Sequence, residues 1–257
     1  MTTKTHTAGL VLGKLPARID VRTLALARYL DRDVLPAPPR SFDLTGAVPN
    51  WPMYGNDRVG DCTTAAAGHM IEAWTGAASA AAVEVSEQEV LAAFDAVKIV
   101  DPSTGEEGAV ELDVLKLWRR SGIGRHRIGA FARVPGGDHD LVRTGTYLFG
   151  GLYIGLQLPL SAQDQGVWDW NGRLDGPDEP GSWGGHAVNV VGYDDSGLTA
   201  VTWGTLQRLT WGFWDRYCDE AYCIVSVDFL SDGKTPAGLD LAALERDLRL
   251  VTTGQRS

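Results

Sequence analysis

At 257 residues, with 44% hydrophobic and 22% charged side chains, the chain is long enough to bury one large or two-lobed core and has an ordinary globular balance. A formal charge of -10 with no Lys/Arg cluster excludes a surface that tracks phosphates, so nucleic acid is not expected as a partner. No apolar run nears the ~20 residues that cross a bilayer, and the N-terminus lacks the apolar core of a secretory signal, so no membrane association is expected either.

Residues 1–40 read as an arm, and residues 41–257 as the domain proper. Within the arm, Val21 to Leu30 forms a short amphipathic segment that Asp20 would cap, and the Pro-rich stretch from Leu35 to Arg40 forces an extended path. Composition leaves three roles open for the arm: a prosegment over a cleft, a strap holding a homo-oligomer or larger assembly, or a packing flap. A helical part follows at about 56–145. Asp61 to Trp74 is strongly helical, and Ser86 with Glu89 makes a capping box. A loop spans Asp101-Pro102 and Gly105–Gly108. A third helix runs from about Val110 to Arg120, with Leu112, Leu115 and Trp118 at core spacing and Gly122 as the stop.

From about 146 to 230 the pattern changes to strands. GLYIGLQLPL, HAVNVVGYD and LTAVTWG are short apolar or alternating runs bounded by Gly, Pro and Asp. A long Gly/Trp/Asp-rich connection over 161–185 suits a binding rim. Trp211 to Val225 reads as helix-like, with Trp211, Trp214 and Cys218 at i, i+3 and i+7, and Asp219 and Glu220 read as a solvated turn. Residues 231–257 form a C-terminal extension.

Three cysteines, Cys62, Cys218 and Cys223, make neither a disulfide framework nor a CxxC metal pattern, which fits a reducing, cytoplasmic setting and no metal. Cys218 and Cys223 are read as structural. Cys62 differs because it opens a helix, where the helix dipole and unpaired amides favour thiolate over thiol. His186 begins an apolar strand just after Gly184-Gly185, placed to face a cleft. The remaining histidines lack such a placement. His69, seven residues after Cys62 on the same helix, lies roughly 10 Å away by helix rise.

These pieces, in this order, resemble the papain-like cysteine peptidases. Asn56-Asp57-Arg58-Val59-Gly60-Asp61-Cys62 resembles the family's Gln-Gly-x-x-Gly-Ser-Cys. His186-Ala187-Val188-Asn189-Val190-Val191-Gly192-Tyr193 is similar to its His-Ala-Val-x-x-Val-Gly-Tyr. Pro39-Arg40-Ser41-Phe42-Asp43, the helix ending at Gly122-Ile123, and the Leu152–Gln157 strand echo further family segments over roughly residues 40–230. The resemblance implies an α+β, two-lobed fold with a helical lobe, an antiparallel β-rich lobe and a cleft between them. It implies Cys62 as nucleophile, His186 as general base and then acid, and the Asn56 carboxamide as an oxyanion donor, shortened from the family's Gln.

The family's imidazole-orienting Asn, in Asn-Ser-Trp-Gly, aligns with Val201, which accepts no hydrogen bond. Thr202 would serve only with a shifted strand register. The expectation is therefore a Cys–His dyad that hydrolyses a peptide or amide through an acyl-enzyme, with no cofactor. The alternative is a non-catalytic papain-like scaffold, binding or assembly protein.

Overall fold

The computed structural model describes residues 10–26, 37–79, 82–83, 85–230 and 234–235. Its elements in chain order are β1 (Leu24–Ala25), β2 (Phe42–Asp43), α1 (Cys62–Ser79), α2 (Glu87–Asp95), β3 (Ile99–Val100), β4 (Glu107–Gly108), α3 (Glu111–Arg120), β5 (Ile128–Arg133), α4 (His139–Phe149) and β6 (Leu152–Leu158). There follow β7 (Val167–Trp168), β8 (Gly184–Tyr193), β9 (Gly197–Thr202), β10 (Thr205–Thr210), α5 (Trp211–Tyr217) and β11 (Cys218–Ser226). The architecture is α+β. One sheet runs β1-β5-β11-β6-β8-β9-β10-β7, with β2 added to β8. Its central pairings, β5–β11–β6–β8–β9–β10, are all antiparallel.

Strand alternation sends successive side chains to opposite faces of this sheet, and each face has its own core. Tyr153, Ala187, Tyr222 and Ile224 point toward α1, α2 and α3. Ile154, Leu156, Val188, Val190, Ala200 and Cys223 point the other way, onto α4 and α5. Helix α1 is buried from Cys62 to Gly76, so its composition, rich in Ala and apolar on nearly all sides, follows from its position against β8. Trp74 stacks on Trp118 at 5.7 Å between ring centres and ties α1 to α3. The Ser86–Glu89 capping box forms at the start of α2 as the sequence indicates.

Three local readings change. In the described part of Val21–Leu30 there is no α-helix: the Asp20 carboxylate holds a tight turn through the Arg22 amide, and Leu24–Ala25 pairs in parallel with β5. Residues 27–30 lie outside the described residues, as do residues 1–9 and all of the 231–257 extension except Lys234 and Thr235. The helix begun at Trp211 stops at Tyr217, because Cys218 turns extended and the run Tyr222–Val225 pairs with β5 and β6. Strand β5, unassigned in the sequence reading, completes that side of the sheet.

Candidate active site

Cys62 is the first residue of α1. The Asp61 carbonyl just before it accepts from the amides of Thr64 and Ala65, which closes the first turn and leaves the thiol at the helix mouth. His186 stands near the start of β8, opposite Leu156 of β6. The amide of its neighbour Ala187 lies near the Cys62 sulfur, so β8 runs alongside the thiol. His186 Nδ1 is buried and has no hydrogen-bond partner. No hydrogen bond joins the imidazole to the Cys62 sulfur.

The other imidazole nitrogen corrects the sequence reading. His186 Nε2 lies 2.6 Å from Thr202 Oγ1. The pairing of β8 with β9 sets Asn189 opposite Val201 and Val190 opposite Ala200. Opposed residues share a face, so the even-numbered 186, 188 and 190 lie on one face with 200 and 202. Val201 points the opposite way, against Ala73 and Val191. A hydroxyl one residue beyond the aligned position therefore reaches the imidazole.

Directly after Thr202, Trp203 and Gly204 form a two-residue hairpin turn with φ of 45° and 69°, a left-handed geometry that is strained for Trp. The turn lays the Trp203 ring on the His186 ring, 4.1 Å between centres and 14° from parallel. Backbone strain held at such a place marks a site that its surroundings over-determine.

Part of the N-terminal arm runs through this site. The Val11 amide donates to the Asn56 carbonyl, and the Val11 carbonyl accepts from Asn56 Nδ2 (3.1 Å) and Trp203 Nε1 (3.3 Å). Gly13 passes Gly60 so closely that a Cβ on it would sit 1.8 Å from the Gly60 carbonyl oxygen. Gly13 O accepts from the Ala109 amide and the Leu15 amide donates to Ala109 O, a parallel bridge, while the Lys14 amide donates to Gly185 O. The strap is thus held from both sides. Toward Cys62 it presents the Gly13 amide, which lies near the sulfur.

The seated strap leaves Cys62 and His186 only 1% and 0% exposed. Burial pushes the thiol up to about 12, with the nearby Asp61 and Glu111 charges adding to the shift and the Ala187 and Gly13 amides opposing it. Burial alone takes His186 down to about 3. The covered pair is a neutral thiol and a neutral imidazole. Asp61 is also fully buried, with neither oxygen accepting a well-formed hydrogen bond, and burial raises its carboxyl to about 7. His69 is committed elsewhere, to the Pro52 carbonyl at 2.8 Å.

The sequence reading also missed an acidic cluster. Glu220 is not in a solvated turn: it lies within β11, 3% exposed, and Tyr222 donates to its Oε2. Asp219 Oδ2 accepts from Gln157 Nε2 at 2.7 Å. The buried Lys14 ammonium sits 2.9 Å from Asp219 Oδ2 and 3.1 Å from Glu220 Oε1. One available signal was Gly155, a glycine inside an apolar strand run, which marks a close approach. Among the described residues no cluster has a metal-holding arrangement, and no helix is long and apolar enough to cross a membrane.

Neither a protein-family model nor a curated protein sequence matches the chain. Solved structures do match it. Xylellain, a cysteine protease from Xylella fastidiosa, aligns with a TM-score of 0.64 at 16% identity, over 88% of this chain and 100% of that one. Procathepsin B S9 from Trypanosoma congolense aligns at 0.55 and 14%, over 84% and 86%. The cysteine protease and lectin-like domains of Cwp84 from Clostridium difficile align at 0.59 and 10%, over 85% and 56%. At these identities the likeness is one of fold. The chain has the papain-like cysteine-protease fold that its ordered motifs led us to expect.

Proposed function

We propose that the protein is a cysteine hydrolase, a peptidase or amidase, with Cys62 as nucleophile and His186 as general base and then general acid. What supports this reading is a helix-mouth thiol that lies near the Ala187 amide, next along β8 to an imidazole whose Nε2 lies 2.6 Å from Thr202 Oγ1 while its Nδ1 is unpartnered. In the reaction His186 takes the thiol proton, the sulfur attacks the carbonyl carbon, and the C–N bond breaks as the imidazolium returns its proton to the leaving amine. Water then cleaves the thioester by the same base. Asn56 Nδ2, which donates to the Val11 carbonyl, would donate to the oxyanion together with the Cys62 N–H.

On this reading residues 11–15 are a prosegment-like strap over a resting site, and turnover requires that they leave. Three unpaired cysteines fit a cytoplasmic location. The covered, neutral pair also suits the alternative of a non-catalytic scaffold in which the strap never leaves. Cys62→Ala separates the two. For the hydrolase, the substitution abolishes both peptide-amide turnover and labelling by a thiol-directed electrophile. Unchanged hydrolysis by that variant, or no labelling of the parent protein under any condition that displaces the strap, defeats the enzymatic reading.

A further inference from the structure

Beside the thiol lies a second built site. The Lys14 side chain is 0% exposed and runs to the acidic cluster over Gly155. A Cβ built on Gly155 would stand 2.0 Å from Lys14 Cε, 2.9 Å from Asp219 Oδ1 and 2.9 Å from Glu111 Oε1. The missing side chain is therefore what makes room for the stem of a long cation. Glu111, in the first turn of α3, is fully buried with both carboxylate oxygens unpartnered, and Asp219 Oδ1 is unpartnered as well. Three acids from two walls thus converge where one ammonium arrives. Gln157 and Tyr222 hold two of them in place from behind.

This arrangement is poorly explained as packing. A buried ion pair contributes little net stability against apolar residues of the same volume, and acids in excess of their cation cost more still. A pocket that binds its occupant reversibly has reason to keep them, because a vacated pocket favours the next cation. The position fits that use. Lys14 follows Gly13, whose amide lies near the Cys62 sulfur, and the Lys14 amide donates to the Gly185 carbonyl. The side chain that enters the pocket is thus one residue along the chain from the reacting centre.

We propose that Glu111, Asp219 and Glu220, with Gly155 as the opening, form a specificity pocket for the Lys or Arg side chain of a peptide substrate, and that Lys14 occupies it in the substrate's place. The proposal rests on the hydrolase reading for the word substrate, but its test does not. The full-length Lys14→Ala protein is titrated with the nine-residue peptide LVLGKLPAR, which copies residues 10–18, and with versions carrying Arg, norleucine or Glu in place of the Lys. Affinity is read by calorimetry. The Lys and Arg peptides bind at least about tenfold tighter than the norleucine and Glu peptides, and Glu111→Gln with Glu220→Gln in the same background erases the preference.

Equal affinities, or no binding by any of the four, overturn the pocket. Lys14→Met, which keeps an apolar stem, replaces Lys14→Ala if the latter does not fold. Turnover of matching peptide amides is measured on the same protein. Selective binding without turnover leaves the pocket standing and removes the hydrolase reading. Turnover with no preference for a cation does the reverse.

Discussion

The strap meets two very different surfaces within two residues. At Gly13 it covers Cys62 and His186, which are held neutral by loss of water. At Lys14 it enters a site crowded with carboxylates, where Glu111, Glu220 and Asp219 face one ammonium. Desolvation silences the first surface, and charge anchors the strap in the second. The comparison teaches that the resting state depends on a lever beside the thiol rather than on the thiol itself. Nothing at the thiol itself binds the strap strongly, since its contacts there are uncharged hydrogen bonds worth about 1 kcal/mol each. The anchor is the buried ion cluster.

The largest effect should follow from pulling that anchor. Lys14→Met keeps the stem's bulk and removes the charge, leaving buried carboxylates without a counter-ion. Breaking a buried pair in this way costs about 3–5 kcal/mol, read as a shift in the urea midpoint at constant m. The same variant should alkylate at Cys62 with iodoacetamide at neutral pH at least about tenfold faster than the parent, because release of the strap returns water to the thiol. A destabilised protein whose Cys62 stays as slow as the parent's would show that the strap is held by its backbone, and the contrast between the two surfaces would fail.

Much of this architecture was legible in the chain. The helix opening at Cys62 and the strand bearing His186 carry strong local signals, a run of alanines with apolar neighbours in one case and an apolar run after Gly184-Gly185 in the other. What stayed hidden was decided by partners far away in sequence. Thr202 reaches His186 because of strand pairing, which fixes parity across β8 and β9 but is invisible in a motif aligned by position. Glu220 looked solvated because Cys218-Asp219-Glu220 reads as a polar break. Its burial comes from pairing with β6 and from Lys14, more than 200 residues earlier. Lys14 itself gave no signal beyond an isolated Gly-Lys in an apolar run.

A middle-sized effect tests whether desolvation reaches beyond the pair itself. Asp61, next to the thiol, has its carboxyl raised by burial to about 7, against about 3.9 in an unfolded chain. Between those values the folded state holds a proton that the unfolded state releases, so stability falls as pH rises through this window and levels off above about 7. Asp61→Asn removes that dependence. Its stability advantage over the parent should grow by about 2–3 kcal/mol between pH 5 and pH 8, measured by denaturant unfolding at each pH. A parallel pair of curves would mean that Asp61 is hydrated and that the dry environment ends at Cys62.

The smallest effect concerns the hydrogen bond made by the His186 ring. Thr202 Oγ1 lies 2.6 Å from His186 Nε2 in a buried setting. Thr202→Val preserves shape and removes the hydroxyl, at a cost of roughly 1–3 kcal/mol for the orphaned nitrogen. If Thr202 only fills space, Val should serve as well as Ser. If it orients the imidazole, Thr202→Val should lower kcat by about tenfold, which corresponds to about 1.4 kcal/mol. Thr202→Ser, which keeps the hydroxyl and loses a methyl group, should then restore most of the rate. Because the hydroxyl acts on His186 rather than on the strap, neither variant should change the affinity of the acidic pocket for a lysine peptide. A change there would mean that the thiol site and the charged pocket are not separable, and the division of labour along the strap would have to be redrawn.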